Sequence, residues 1–373
     1  MSYITELNEP EWAREYRKEA LYNIEGSDFP PYRYGLRILI KPPEFKIDPK
    51  EAKNFRIEIK NEEAEIYSGK TIPNLPHFRQ LFEIEQKEDK LSYYHKAYSN
   101  HFILIRINKK IEKPIELTYE IEDETFFSNI FILAEKDSEA TILLRKVSDN
   151  FLSEHVRILA EENSIINFIS IQNLGKQAVN IEKRIAVTKD NAEVNWIDGS
   201  FGSLYSKSEI INELSGRNAK GKIKVLYLTN KDQKKDIYTA SVHNSEETFS
   251  DILTKGVLSG KSKALSQGLV EIKYDAAKSE GYEKQEALLL DKDAEADAIP
   301  NLKIHNHDVK CSHGSSIGQI DEEKLFYLMS RGLSKKEAVK KMVEGYFAPV
   351  LDHFSKETKI AMQDSLLEYL KEI

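Results

Sequence analysis

The 373-residue chain holds a single cysteine, Cys311. One thiol excludes an internal disulfide, a CxxC redox pair, a cysteine-rich zinc site and a self-contained four-cysteine iron–sulfur site. Metal chemistry must therefore draw on histidines and carboxylates, or borrow ligands from another chain. Positive charge is not in excess either: Lys+Arg is 54 against Asp+Glu 62, a formal net charge of −8. That balance excludes a dedicated nucleic-acid binder, which needs a basic face to displace phosphate counterions. No apolar run approaches the roughly 18 residues of a membrane span. The opening residues Met-Ser-Tyr-Ile-Thr-Glu lack the basic and apolar segments of a leader. The expectation is a cytoplasmic protein with no nucleic-acid or membrane partner. Paired catalytic carboxylates, a nucleophile elbow and a zinc-protease helix are also lacking. Glu62-Glu63, Glu161-Glu162 and Glu246-Glu247 read as solvated turns.

What is there falls into three zones, 1–99, 100–318 and 319–373. Glu9-Pro10-Glu11-Trp12 opens a helix, because proline suits the first turn and acids there complement the dipole. Trp12, Tyr16, Ala20 and Leu21 give it an apolar face. The middle zone is a succession of short β-branched and aromatic runs such as Thr141-Ile142-Leu143-Leu144. Turn residues separate them, among them Glu162-Asn163, Asp190-Asn191 and Ser259-Gly260. Strand centres near Val225, Val242, Val257, Val270, Leu288 and Ile304 recur every 13 to 18 residues. That spacing predicts a solenoid whose coils add strands to stacked parallel sheets; a β-sandwich is the alternative that periodicity leaves open. The last zone is helical. Asp321 caps a first helix and Gly332 ends it, Ser334 and Glu337 form a capping box for a second, and Pro349 kinks or ends that one. A third carries Ile360, Leu366, Leu367 and Leu370.

Two stretches invite chemistry. Lys255-Gly256-Val257-Leu258-Ser259-Gly260-Lys261-Ser262 resembles a phosphate-binding loop, but Lys255 stands where the first glycine should, and another strand follows instead of a helix. It reads as glycine-bearing turns, and the chain is not expected to bind ATP itself. The segment 301–314 gathers His305, His307 and His313 with Cys311. As a strand, it would put Leu302 and Ile304 inward and Lys303, His305 and His307 outward. His305 and His307 with Asp308 form one candidate metal set, weighed against two surface histidines beside a turn. Cys311 and His313 alternate onto one face, without a third orienting group or oxyanion feature. A ligand pair shared across an interface fits the cysteine count better than an enzyme does.

The run Asp308-Val309-Lys310-Cys311-Ser312-His313-Gly314 continues through Ile317-Gly318, Asp321-Glu322, Leu325-Phe326-Tyr327-Leu328 and Ser330-Arg331-Gly332. It resembles the C-terminal signature of the SufB/SufD family, scaffold subunits of the SUF iron–sulfur cluster assembly machinery. Glu9-Pro10-Glu11-Trp12 with Arg17 and Ala20, and the loop at 255–262 with Gly268-Leu269-Val270, are similar to further family segments. The resemblance is dense from about 250 to 347 and patchy at 9–21.

It implies a right-handed parallel β-helix between an N-terminal helical region and a C-terminal helical domain. It further implies pairing with a SufB-like subunit through the β-helices and docking of the ATPase SufC on the C-terminal helices. A transient iron–sulfur cluster at the subunit interface would then take His313 as a ligand and Cys311 as a secondary one, none being tightly bound in the isolated chain. SufB-type chains carry a cysteine after a glutamine where this one has Gln285-Glu286, and a Glu where this one has Gly314. Both departures point to the SufD type, whereas Gly260-Lys261-Ser262 is closer to SufB wording. An exposed sheet edge is also able to pair with a second copy of the chain. The rival from another class is a metal-dependent enzyme using His305, His307 and Asp308. A carbohydrate-active β-helix enzyme ranks last, for want of a carboxylate cluster.

Overall fold

The computed structural model describes residues 8–29, 33–36, 38–43, 47, 52–84, 89–352 and 354–371. Residues 1–7, on which the leader reading rests, lie outside these. The body is a β-solenoid of sixteen parallel strands, β5 (His101–Ile107) to β20 (Lys310–Gln319), two per coil, making eight coils. Strands of one parity stack into sheet 1, ending with β16 (Phe249–Leu258), β18 (Glu280–Leu289) and β20. The others stack into sheet 2, ending with β15 (Lys234–His243), β17 (Lys263–Ile272) and β19 (Glu295–Ile304). The six strand centres read from the sequence fall in six successive strands. The structural repeat is the pair, however. Asp137, Asn163, Asn191, Asn218, Glu247 and Lys278, with φ near +60°, mark the same turn of successive coils at intervals of 26 to 31 residues. Asparagine tolerates the left-handed region better than most residues. The backbone ladder runs on through these turns, with Asn163 N–H donating to Asp190 O at 2.9 Å and Asn191 N–H to Arg217 O at 2.9 Å.

The N-terminal end of the solenoid is closed. β3 (Phe55–Lys60) and β4 (Glu65–Gly69) pair antiparallel with β6 (Ile115–Ile121) and β5. They plug the lumen with Phe55, Ile57, Ile59 and Ile66. These two edge strands are short and charged, and Arg56 pairs with Glu58 and Glu120, as protected edges are. At the opposite end β19 and β20 finish the sheets with no further strand among the described residues.

Inside, the first coils are lined by isoleucines such as Ile103, Ile130 and Ile142. The middle coils instead bury an ionic network. Lys146 meets Glu154 (3.1 Å) and Glu182, and Arg184 meets Glu182 (3.0 Å) and Asp198 (2.8 Å). Lys235 donates to the hydroxyls of Ser200 and Ser203 at 2.8 and 3.1 Å. A buried network of this kind is weak evidence for stability, since desolvation offsets most of its Coulomb gain.

Helices cover both outer faces. On sheet 2 lie α1 (Glu11–Gly26), α2 (Pro76–Phe82) and α3 (Lys90–Tyr98). The face α1 buries is Ala13, Arg17, Ala20 and Ile24, one step round from the face that Trp12 and Tyr16 suggest. The reason is Arg17: its guanidinium grips Glu9 at 2.8 Å twice and donates to the carbonyls of Ala97 and Ser99. A strap of β1 (Arg33–Tyr34) and β2 (Leu39–Ile40) crosses the same face and reaches the last coil, where Asp297 accepts the Ile38 N–H at 3.1 Å. On sheet 1, α5 (Lys335–Leu351) and α6 (Lys356–Leu370) bury Val343, Phe347, Met362 and Leu366 against Leu143, Ile169, Phe201 and Leu226. Pro349 lies inside α5, two residues before its end. The preceding α4 (Glu322–Ser330) buries nothing. No helix among the described residues is long and apolar enough to cross a membrane.

Candidate functional site

β20 pairs only with β18, in the register Cys311 to Gly281, His313 to Glu283 and Ser315 to Gln285. Its other edge is bare among the described residues. After Lys310 it carries no charge, unlike β3 and β4 at the closed end. Alternation sends Cys311, His313 and Ser315 to the lumen side. Cys311 is half-buried against the last of the apolar core, and His313 is exposed at the mouth. Burial pushes the Cys311 thiol up, against a backbone hydrogen bond at Gly281. It is held as a thiol, not a reactive thiolate.

The residue beside His313, Glu283, drew no notice in the sequence. It is 3% exposed and accepts a hydrogen bond from Gln285 Nε2 at 2.6 Å. Its carboxylate lies over Gly268 of β17, where a Cβ would stand 1.5 Å from Oε1. Burial raises the Glu283 carboxyl to about 7, against hydrogen bonds from Gln285 and the Asn301 backbone. A glutamate between two strand residues looks like a surface charge in the sequence. Only the glycine opposite, Gly268, hints that its side chain turns inward.

The other sequence candidates lie elsewhere. The strand β19 stops at Ile304, so His305, His307 and Asp308 occupy the turn before β20 and do not share a strand face. Nor is the inward end closed over, since Ile304 stays partly exposed at the open edge. His305 sits 5.1 Å from the Tyr274 ring and 3.9 Å from Glu271. Among the described residues no three His, Cys, Asp or Glu side chains are gathered to hold a metal ion. The segment 255–262 is the end of β16 and the turn that leads into β17. Gly256 faces the lumen inside β16, against the Tyr227 ring, and is not in a turn as the sequence suggests. Gly260 takes the turn with φ +66°. With no helix N-terminus behind it, the segment makes no phosphate cradle. Glu286 is locked by Lys255 at 2.8 Å and Lys284 at 2.6 Å on the outer face, beside Tyr346 of α5.

A second surface lies next to β20. On α4, Phe326 is 73% and Tyr327 56% exposed, with Met329 also open. A groove of about 420 Å³ runs between α4, α5 and the last coils, lined by Leu290, Leu325 and Val339 with Lys335, Lys336 and Lys340. Capping fixes both helices: Asp321 accepts the Lys324 N–H, and Ser334 with Glu337 completes a capping box.

The family described as "SUF system FeS cluster assembly, SufBD core domain" matches residues 117–346. The iron-sulfur cluster assembly protein SufD of Bacillus subtilis is 27% identical over 282 residues, covering 72% of this chain and 64% of that protein. An iron-sulfur cluster assembly SufBD family protein of Mycobacterium leprae is 28% identical over 258 residues, covering 67% of this chain and 30% of its own length. One from Staphylococcus haemolyticus is 25% identical over 268 residues, covering 70% and 58%. The chain thus spans less than two thirds of the length of these relatives.

Proposed function

The chain belongs to the SufBD family of the SUF iron–sulfur cluster assembly system, and on that premise we propose that it is a SufD-like scaffold subunit, not an enzyme. In this reading it pairs with a SufB-like subunit and docks the ATPase SufC in the cytoplasm. The observation that carries the reading is the bare, uncharged edge of β20, which holds Cys311 and His313 where a second solenoid would add its strand. The cluster is cargo. One thiol and one imidazole cannot hold it in an isolated chain, so the remaining ligands come from the partner. Glu286 and Gly314, in place of the SufB-type thiol and glutamate, favour the SufD role.

Nucleotide chemistry falls to SufC, because 255–262 offers no phosphate cradle. The exposed aromatics of α4 are the docking candidates. The helices α5 and α6 are the chain's own cover of sheet 1 and not a free surface. That arrangement gives a mechanical route. A pull on α4 reaches α5 through the short 331–334 link, and α5 is bonded by its apolar face to the sheet that ends in β20. Motion of the docked ATPases would thereby shift the interface that carries His313.

Co-expression with SufB-like and SufC partners tests this. His313→Ala should leave the complex intact and abolish cluster assembly, and full assembly by that variant refutes the ligand role. Phe326→Ser with Tyr327→Ser should release SufC while the melting temperature stays put. Retention of SufC refutes the docking role.

A further inference from the structure

Two imidazoles are stacked face to face where the N-terminal helices meet the solenoid. His95 of α3 and His155 of β9 (Phe151–Ala160) have ring centroids 3.5 Å apart and planes 8° from parallel. Both are buried, and His95 Nδ1 lies 2.8 Å from the Ser153 hydroxyl. His95 Nε2 and His155 Nδ1 are buried without a hydrogen-bond partner. The charges that face the pair are cations. Arg157 stands two residues from His155 on the same face of β9, with Tyr16 of α1 beside it. Lys183 of β11 (Val179–Thr188) lies next to His155 in the parallel register, α1 brings Arg17 and α3 brings Lys96. β7 (Thr125–Ala134) adds no charge, only Asn129 in register with His155. The nearby carboxylates are already engaged, Glu9 with Arg17 at 2.8 Å and Asp89 with Lys183 at 3.1 Å. A proton on either ring would therefore sit against a second imidazole, among cations and away from water. Burial and those cations lower both imidazoles well below their usual value.

We propose that the His95–His155 stack is an acid-opened latch, which holds α3 on sheet 2 while both rings are neutral and frees it, with the solenoid beneath still folded, when the pair takes up protons. The Lys90 N–H donates to the Asp28 carbonyl at 2.9 Å, so opening also loosens the root of the strap that runs to the last coil. The direction follows from the shifts. Once α3 lifts away, the rings meet water and titrate near 6.5, so the docked state is fully favoured above about that pH and loses ground as pH falls.

Hydrogen exchange of the full-length chain, read by mass spectrometry over 90–98 and corrected for the intrinsic rate at each pH, tests this. Two rings that bind protons only in the open state raise its opening constant roughly sixtyfold between pH 6 and pH 5, and one ring raises it roughly eightfold. Wild type should show the larger rise, while strand amides of the middle coils stay protected. His95→Gln and His155→Gln should each show the smaller rise, and the double variant almost none. The ratio is taken within each protein, so a variant whose α3 is looser at both pH values still reports. A wild-type constant that changes less than about threefold, a rise shared equally by the strand amides, or a single variant that keeps the whole rise overturns the proposal.

Discussion

His243, at the lumen end of β15, is fully buried in a cage of hydroxyls. Its Nδ1 lies 2.7 Å from Thr248 Oγ1 and its Nε2 2.8 Å from Ser250 Oγ. A hydroxyl can donate to or accept from a ring nitrogen, so the two contacts suit a neutral imidazole with one nitrogen donating and the other accepting. That pattern is written for a neutral ring, and burial lowers the imidazole to about 4. The unfolded chain titrates near 6.5. Between those values the unfolded state binds more protons, so stability is full above about pH 6.5 and falls as pH drops towards 4. From pH 7.5 to pH 5 the loss through this one group is about 2 kcal/mol. Urea unfolding at both pH values, in wild type and His243→Gln, isolates it, because glutamine keeps one donor and one acceptor without titrating. The variant should lose about 2 kcal/mol less than wild type over that interval. Equal pH dependence in the two proteins would refute the reasoning.

Three further outcomes follow from the packing. Asp297→Ala removes the acceptor for the Ile38 N–H, should cost about 1–2 kcal/mol, and should move the first proteolytic cut into the strap at 33–43. Gly256→Ala places a Cβ 1.9 Å from the buried Tyr227 ring. It should destabilise by about 1–3 kcal/mol, and Tyr227→Leu should recover most of the loss in the double variant's thermal melt. Ser315→Lys with Ile317→Lys charges the exposed edge strand. Light scattering should then report a monomer where wild type pairs, at an unchanged melting temperature.

Much of this architecture is written locally. Asn163, Asn191 and Gly260 mark turns because the left-handed backbone there selects them, and the Ser334–Glu337 box and Gly332 set helix ends without tertiary help. What escapes is set by burial on both faces of a strand. A solenoid strand under a helix hides its outward side chains as well, so alternation no longer separates core from surface. The pairing of Lys146, Glu154, Glu182 and Arg184 therefore leaves no mark in the sequence and appears only when successive coils stack. Arg17 escapes for a related reason: its carboxylate partner is close in sequence, but the Ala97 and Ser99 carbonyls that complete its shell are far away. At the candidate site the string around Cys311 and His313 is legible as a motif. Glu283 is not, because its place is defined by a neighbouring strand in register and a glycine across the lumen.

The two tips of the rod differ in kind, and under the proposed pairing that difference bounds the stoichiometry. One is finished by short, salt-bridged strands that refuse a neighbour, the other by ten residues of bare backbone. At that tip β19 and β20 each leave an edge unpaired among the described residues, so strand addition is open at one end of the molecule and closed at the other. If two rods met tip to tip as proposed, both open ends would be consumed, and the closed ends would recruit no third. Under the proposed pairing, association would close at a pair, as a two-fold contact must, and a body built of stacked parallel strands would be spared growth into fibres.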